Sequence, residues 1–196
     1  MKAGRRIVGG RLKGRALHVP GRGTAEGRAL RPTADRTRES LFNVLAHGVP
    51  EFDLAGVTVI DVFAGTGALG LEALSRGAGH GAFIDDAPPA LACVRENAAR
   101  LGLARAVILL KLDARRLPPP PLAAKAPAAL VFLDPPYGSG LATVALAGLA
   151  QKGWLAAGAV AVAEVEAGEK LEPPKGFTVF DQRTYGRARL VFLRFG

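Results

Sequence analysis

Leu130-Val-Phe-Leu-Asp-Pro-Pro-Tyr137 runs from four apolar residues straight into a carboxylate, two prolines and an aromatic ring. This combination can grip a flat amine. Asp134 accepts N–H bonds, Pro135 and Pro136 make a stiff turn that lacks N–H groups of its own, and the Tyr137 ring offers a stacking platform. The competing reading is an ordinary strand that ends at a turn.

A second stretch bears on the choice. Val57 to Glu72 reads as a β-rich run, a turn at Gly65-x-Gly67, and then a helix, which is the geometry that lets backbone approach a ligand closely. About 20 residues beyond the glycines, Ala82-Phe-Ile-Asp85 reads as the end of the next strand, where a carboxylate can hold ribose hydroxyls. Asp61 precedes the glycines on the strand itself, unlike the acid of a dinucleotide fingerprint. An acid there suits a cationic ligand such as the amino-acid end of S-adenosylmethionine, met directly or through water. Asp113, at the tip of a third strand, can accept from an adenine amino group or cap the turn that follows; both readings stand.

The elements that must position these groups follow from periodicity. The uninterrupted Leu130–Leu133 run reads as a strand buried on both faces, with Asp134 at its carboxyl end, where open α/β sheets bind ligands. Pro88 to Leu103 reads as a helix with Leu91, Val94, Ala98 and Leu101 on one stripe, and Ala106 to Leu110 as a strand. Four consecutive prolines from Pro118 replace a crossover helix by a stiff connection. Leu141 to Ala150 reads as a helix, Ala159 to Val165 as a strand, and Phe177–Phe180 with Leu190–Leu193 as a closing antiparallel pair. Glu164 and Glu166 read as rim residues with no assigned role.

The charge is lopsided. Of a net +9, nearly all falls in residues 1–40, which hold 11 of the 26 Lys and Arg residues against only Glu26, Asp35 and Glu39. Such asymmetry suits a chain that meets a polyanion at one end. Gly9-Gly10 between short apolar pieces predicts a small β-hairpin carrying Arg5, Arg6, Arg11, Lys13 and Arg15, resting on the main body. Residues 21–30 have the composition of a loop that orders with a partner. Arg31-Pro-Thr-Ala-Asp-Arg-Thr-Arg38 predicts a helix start with Thr33 or Asp35 as N-cap, and it concentrates Arg31, Arg36 and Arg38 where phosphates find free N–H groups. The expected division is a basic extension over residues 1–30 and a main domain over 31–196, and removing the extension is expected to spare the main site.

At 196 residues, 49% hydrophobic and 22% charged, the composition is that of a globular domain. The lone Cys93 excludes an intramolecular disulfide and a cysteine-rich metal site, and no metal is expected. The longest uncharged run, 135–151, falls short of the ~20 apolar residues a membrane helix needs, and the amino terminus has no apolar signal core. A soluble, monomeric, cytoplasmic protein is expected.

Strands alternating with helices and ending in an antiparallel pair give an α/β chain that looks like a class I (Rossmann-like) methyltransferase, a doubly wound seven-stranded sheet. Arg6-Ile-Val-Gly-Gly10, Gly14-Arg-Ala-Leu-His-Val-Pro20, the Arg31–Asn43 segment, Asp61-Val-Phe-Ala-Gly-Thr-Gly67 with its continuation to Ala78, and Leu133-Asp-Pro-Pro-Tyr137 together resemble the bacterial RsmD family over essentially the whole chain. That family methylates a guanine exocyclic amine, N2, of 16S ribosomal RNA. The resemblance implies that Asp61, Phe63, Ala64, Gly65, Gly67, Asp85, Asp113 and Asp134 line an S-adenosylmethionine pocket, and that Asp134, Pro135, Pro136 and Tyr137 hold the target guanine. It also implies 16S RNA or a small-subunit assembly particle as partner. Asp85 stands where the family commonly has Glu, and Leu30 and Thr37 replace a common Thr and Val.

Three other readings share some of these residues. A DNA adenine or cytosine amino-methyltransferase uses the same tetrapeptide chemistry and would methylate duplex DNA. A non-catalytic RNA-binding assembly factor would bind RNA but not the methyl donor. A nucleotide-dependent dehydrogenase is disfavoured by the position of Asp61 ahead of the glycines.

Overall fold

The computed structural model describes residues 5–19 and 32–196. The residue 21–30 loop and Arg31 lie outside the described residues. Seven strands form one sheet: β1 (Thr58–Val62), β2 (His80–Asp85), β3 (Val107–Lys111), β4 (Ala128–Leu133), β5 (Leu155–Glu166), β6 (Phe177–Tyr185) and β7 (Ala188–Phe195), in the order β3-β2-β1-β4-β5-β7-β6. The first five are mutually parallel, and β7 inserts antiparallel between β5 and β6. Strand order reverses at β1 and β4. The crevice above their carboxyl ends is therefore the topological switch point, where sheets of this kind bind ligands.

Alternation along the strands sorts the core into two layers. Val59, Phe83, Leu130, Phe132, Val160 and Val162 face helices α1 (Pro32–His47), α2 (Ala68–Ser75) and α3 (Pro88–Arg100). Ile60, Val62, Ile84, Val131 and Leu133 face α4 (Leu141–Gln151) and Trp154. Between β3 and β4 the chain makes only a short 3₁₀ turn, Leu122–Ala124, after its four prolines. Trp154 donates to the Pro118 carbonyl at 2.8 Å and holds that connection down. β3 is the edge strand and has no crossover helix over its Ile108 and Leu110 face, so Val107 to Leu110 are only half-buried.

The helix stripes follow the spacing in the sequence. Thr37, Leu41 and Leu45 of α1 are buried while Arg36, Glu39 and Asn43 are exposed. Leu91, Val94, Ala98 and Leu101 are buried along α3 and just beyond it.

The amino-terminal segment differs in detail from the predicted hairpin. Its arms pair through Arg6 and Ala16, with Ile7 N–H donating to the Arg15 carbonyl at 2.9 Å and Leu17 N–H to the Arg5 carbonyl at 2.8 Å. The tip is a 3₁₀ turn, Gly10–Leu12, instead of a two-residue Gly-Gly turn. The glycines serve a different need, close approach to the end of α2. A Cβ on Gly10 would lie 2.1 Å from the Ser75 carbonyl oxygen, and one on Gly9 would lie 2.1 Å from the Arg76 guanidinium. Ile7 and Leu17 are buried in the layer of α1, α2 and α3. Among the described residues, no helix is long and apolar enough to cross a membrane.

Candidate active site

β1 delivers Asp61 and then turns sharply. Phe63 adopts the left-handed conformation at φ 61°, followed by Gly65 at 54° and Gly67 at 76°, which opens α2. Such angles are unfavourable for a phenylalanine, so the surrounding bonds must impose them. Ala64 N–H donates to the Ile84 carbonyl at 3.2 Å, Gly65 N–H to Asp85 Oδ2 at 3.0 Å, and Gly67 N–H to the Ala64 carbonyl at 2.7 Å. The end of β2 thus holds the turn that follows β1.

Asp61 does not stand open to the crevice as expected. Its carboxylate is 2% exposed and accepts from Gly70 N–H at 2.8 Å, in the first turn of α2. Loss of hydration outweighs that hydrogen bond and, with the charges of Asp134 and Asp85 nearby, pushes its pKa up to about 8. Gly70, the third glycine of a G-x-G-x-x-G spacing, lies outside the Gly65-x-Gly67 pattern that marks the turn. A Cβ there would fall 2.5 Å from the Phe83 ring, so only glycine lets α2 lie this close to the sheet.

A cavity of about 160 Å³ opens beside the turn, walled by Phe63, Ile84, Leu112 and Leu141 and edged by Asp85 and Asp113. Apolar walls with carboxylates at the edge fit a nucleoside, with a flat base between hydrocarbon surfaces and hydroxyl or amino groups toward acceptors. Asp85 also accepts from Ala87 N–H at 2.9 Å. Asp113 edges the cavity, and it also caps its own turn, accepting from Arg115 N–H and Arg115 Nε at 2.9 Å each. These bonds hold its carboxyl below the usual range.

Across the switch point, β4 ends at Leu133, and Asp134 N–H donates to the Val62 carbonyl at 3.4 Å. Asp134 is half-buried, Pro135 buried, Pro136 exposed and Tyr137 half-buried. The Pro136 carbonyl is not an open acceptor, because Ser139 Oγ donates to it at 2.6 Å. Two glutamates from the end of β5 and just beyond it hold the loop. Tyr137 Oη donates to Glu164 Oε1 at 2.9 Å, and Gly138 N–H donates to Glu169 Oε2 at 2.9 Å. Glu164, set aside in the sequence, therefore belongs to the site.

The predicted basic face divides. Arg6, Arg11, Lys13, Arg15 and Arg36 are exposed. Arg38 is 4% exposed and is a structural group: it donates to the Arg6 carbonyl at 2.6 Å and Asp35 Oδ1 at 2.7 Å, and its Nε lies 3.6 Å from Glu72 Oε2. Burial pushes its pKa down, and the adjoining carboxylates oppose that shift. Arg38 is thus withdrawn from any phosphate contact. Arg5 is half-buried and donates to Thr66 Oγ1 at 3.0 Å, inside the glycine turn. Glu72, fully buried, accepts from Val8 N–H and Arg76 Nε at 2.8 Å each and ties the basic segment to α2. Glu72 and Asn97 went unread, although a polar residue on an otherwise apolar helix stripe is itself a signal of a buried anchor. Among the described residues no cluster of His, Cys, Asp and Glu could hold a metal ion.

A seven-stranded sheet of this order, with a glycine turn after β1 and an Asp-Pro-Pro-Tyr turn after β4, defines a methyltransferase of the Rossmann-like class. The family described as Conserved hypothetical protein 95 matches residues 5–194, and the chain belongs to this family, the RsmD family. It is 38% identical over 162 residues to ribosomal RNA small subunit methyltransferase D of Escherichia coli K12, covering 82% of this chain and 74% of that protein. The Haemophilus influenzae protein of the same name is 32% identical over 185 residues, 92% of this chain and 89% of its own length. Among solved structures, the Escherichia coli protein described as methyltransferase yhhF superposes with a TM-score of 0.78 at 32% identity, covering 98% of both chains.

Proposed function

We propose that this methyltransferase transfers a methyl group from S-adenosylmethionine to the exocyclic N2 amine of a guanine in small-subunit (16S) ribosomal RNA. The observation that carries this reading is the pairing across the switch point. An amine-gripping Asp134-Pro-Pro-Tyr137 turn ends β4, directly beside the glycine turn and nucleoside-shaped cavity that follow β1. Phe63, Ile84 and Leu112 would flank the donor's adenine, Asp85 its ribose and Asp113 the adenine edge. The charge of Asp85 at the edge of the cavity favours a cationic donor. When bound, the donor supplies an activated methyl on a sulfonium sulfur.

The chain's own contribution is positioning. A guanine amine is a poor nucleophile because its lone pair is delocalised into the ring. Hydrogen bonds from the amine to Asp134 and to the Pro135 carbonyl draw the nitrogen toward tetrahedral geometry and aim the lone pair at the methyl. The proton that the amine gives up on methylation would leave toward Asp134 and solvent. The target base must leave its stack to reach this turn, and the Tyr137 ring takes over the stacking it gives up. Arg6, Arg11, Lys13, Arg15 and Arg36 grip phosphates, with Arg31 at the helix start as a further candidate. In this reading a monomer works in the cytoplasm on 16S RNA or on an assembly particle that contains it.

The test is to treat 16S RNA, small-subunit particles and duplex DNA with the protein and methyl-labelled donor, then digest and identify the modified nucleoside. N2-methylguanosine at one position in the RNA is expected. Methyladenine or methylcytosine in DNA, or binding of RNA with no transfer, would overturn the reading.

A further inference from the structure

The two acidic residues at the ends of β4 and β5 bear on which base the site accepts. Leu133 pairs with Ala163 in the parallel register, so Asp134, just past the end of β4, and Glu164, two residues short of the end of β5, stand side by side. Leu130 and Phe132 face the same core layer as Val160 and Val162, and by the two-residue alternation Asp134 and Glu164 continue that face. Glu164 is half-buried. Tyr137 Oη donates to its Oε1 at 2.9 Å, and no described group is bonded to Oε2. A carboxylate oxygen thus stands at the edge of the ring on which a flipped base would stack.

We infer that Glu164 is a specificity-determining residue that accepts the N1–H of the target guanine while Asp134 accepts from its N2 amine. The inference rests on the proposed guanine-N2 activity and deepens it. The Watson–Crick edge of guanine presents two adjacent donors, N1–H and the N2 amine, and two adjacent acceptors match it. Adenine sets its amine beside an unprotonated N1, whose lone pair would face the Glu164 carboxylate and be repelled. An amine-gripping turn alone cannot make that distinction. A second acceptor in register with it can.

The test uses an RNA carrying guanine or 2-aminopurine at the target position, since 2-aminopurine keeps the exocyclic amine but has an unprotonated N1. Wild-type protein is expected to favour guanine by about 100-fold or more in kcat/KM, as sites built around a substrate N–H reject analogues that lack it. Glu164→Gln keeps an oxygen for the Tyr137 hydroxyl and turns an amide N–H₂ toward N1. It is expected to lower kcat/KM on guanine by about 100-fold while raising it on 2-aminopurine, with donor affinity by calorimetry unchanged. Equal use of the two bases by the wild-type protein, or an equal loss on both in Glu164→Gln, would overturn the inference and leave Glu164 only as the support of Tyr137. Absence of transfer by the wild-type protein to any RNA amine would instead overturn the proposed activity.

Discussion

Asn97 donates to the Thr66 carbonyl at 3.0 Å, and through that bond the last turn of α3 holds the centre of the glycine turn. The same amide donates to the His18 carbonyl at 3.0 Å and accepts from His18 N–H at 2.6 Å. Arg5, at the other end of the basic segment, also reaches Thr66. Both ends of the segment therefore converge on one residue of the turn that backs the proposed donor site.

Because Asn97 is fully buried, Asn97→Ala strips the His18 N–H and the Thr66 carbonyl of their partner and leaves the His18 carbonyl only the weak Cys93 thiol donor. A stability loss of about 2–4 kcal/mol in urea unfolding is expected, together with weaker donor binding by calorimetry. Wild-type stability in this variant would show that water replaces the amide without cost.

Asp61 sets a pH dependence with a definite sign. Its carboxyl titrates ordinarily near 3.8 but near 8 in the folded protein, so across that window the folded state holds a proton that the unfolded state has released. Asp61 therefore adds stability below about pH 4, and that contribution is lost progressively as pH rises toward 8. The difference in unfolding free energy between wild type and Asp61→Asn, measured from pH 5 to 9, should shift against the wild type as pH rises. A difference independent of pH would show that Asp61 is ionised throughout.

Gly70→Ala tests the seating of α2 on the sheet. The added methyl would press on the Phe83 ring, which is fully buried and cannot swing aside. Overpacking of this kind costs about 1–3 kcal/mol. Since Gly70 N–H also holds Asp61, donor affinity is expected to fall with stability; thermal unfolding and calorimetry on the one variant check both.

The sheet and the two turns at the switch point were legible because each is written locally. Continuous apolar runs gave the parallel strands, and Gly65, Gly67, Asp85 and Asp134 fell at strand ends by simple counting. What escaped were long-range partners. The sequence neighbourhood of Arg38 reads as a phosphate grip, but Glu72 and Asp35 sequester it, and the approach of Glu72 depends on how α1 crosses α2. Glu164 reads as a rim residue until β5 is paired with β4, which brings it to the Tyr137 loop 27 residues away in sequence. Asp61 sits where counting puts it, but its burial and its bond to Gly70 arise only from the packing of α2.

The anchoring of the basic segment changes how its role must be tested. Deleting residues 1–30 removes Ile7 and Leu17 from the core and strips Glu72 and Asn97 of backbone partners, so the deletion is expected to unfold the main site instead of sparing it. Replacing exposed Arg11, Lys13 and Arg15 by alanine leaves those anchors in place. RNA affinity should fall, and the slope of log affinity against log salt should flatten by about one for each phosphate that no longer meets a cation, while donor affinity holds. An unchanged salt slope would move the RNA face elsewhere.

Asp134→Ala separates chemistry from binding. Asp134 is neither one of the apolar walls of the nucleoside cavity nor the acceptor that Gly65 uses in the glycine turn, whereas it is the only carboxylate in the Asp-Pro-Pro-Tyr turn itself. Its removal should leave unfolding and donor affinity within a few fold of wild type. Losing an acceptor that aligns the amine should lower kcat by about 100-fold or more, as for other preorganised hydrogen-bonding groups that act on the transition state. Asp134→Asn keeps an acceptor oxygen but loses the charge. It should therefore fall between the two, and single-turnover rates of methyl transfer measured with saturating donor order the three proteins. If Asp134→Ala transfers methyl at the wild-type rate, the amine is held by some other group and the role of this turn is confined to shaping the β4 end.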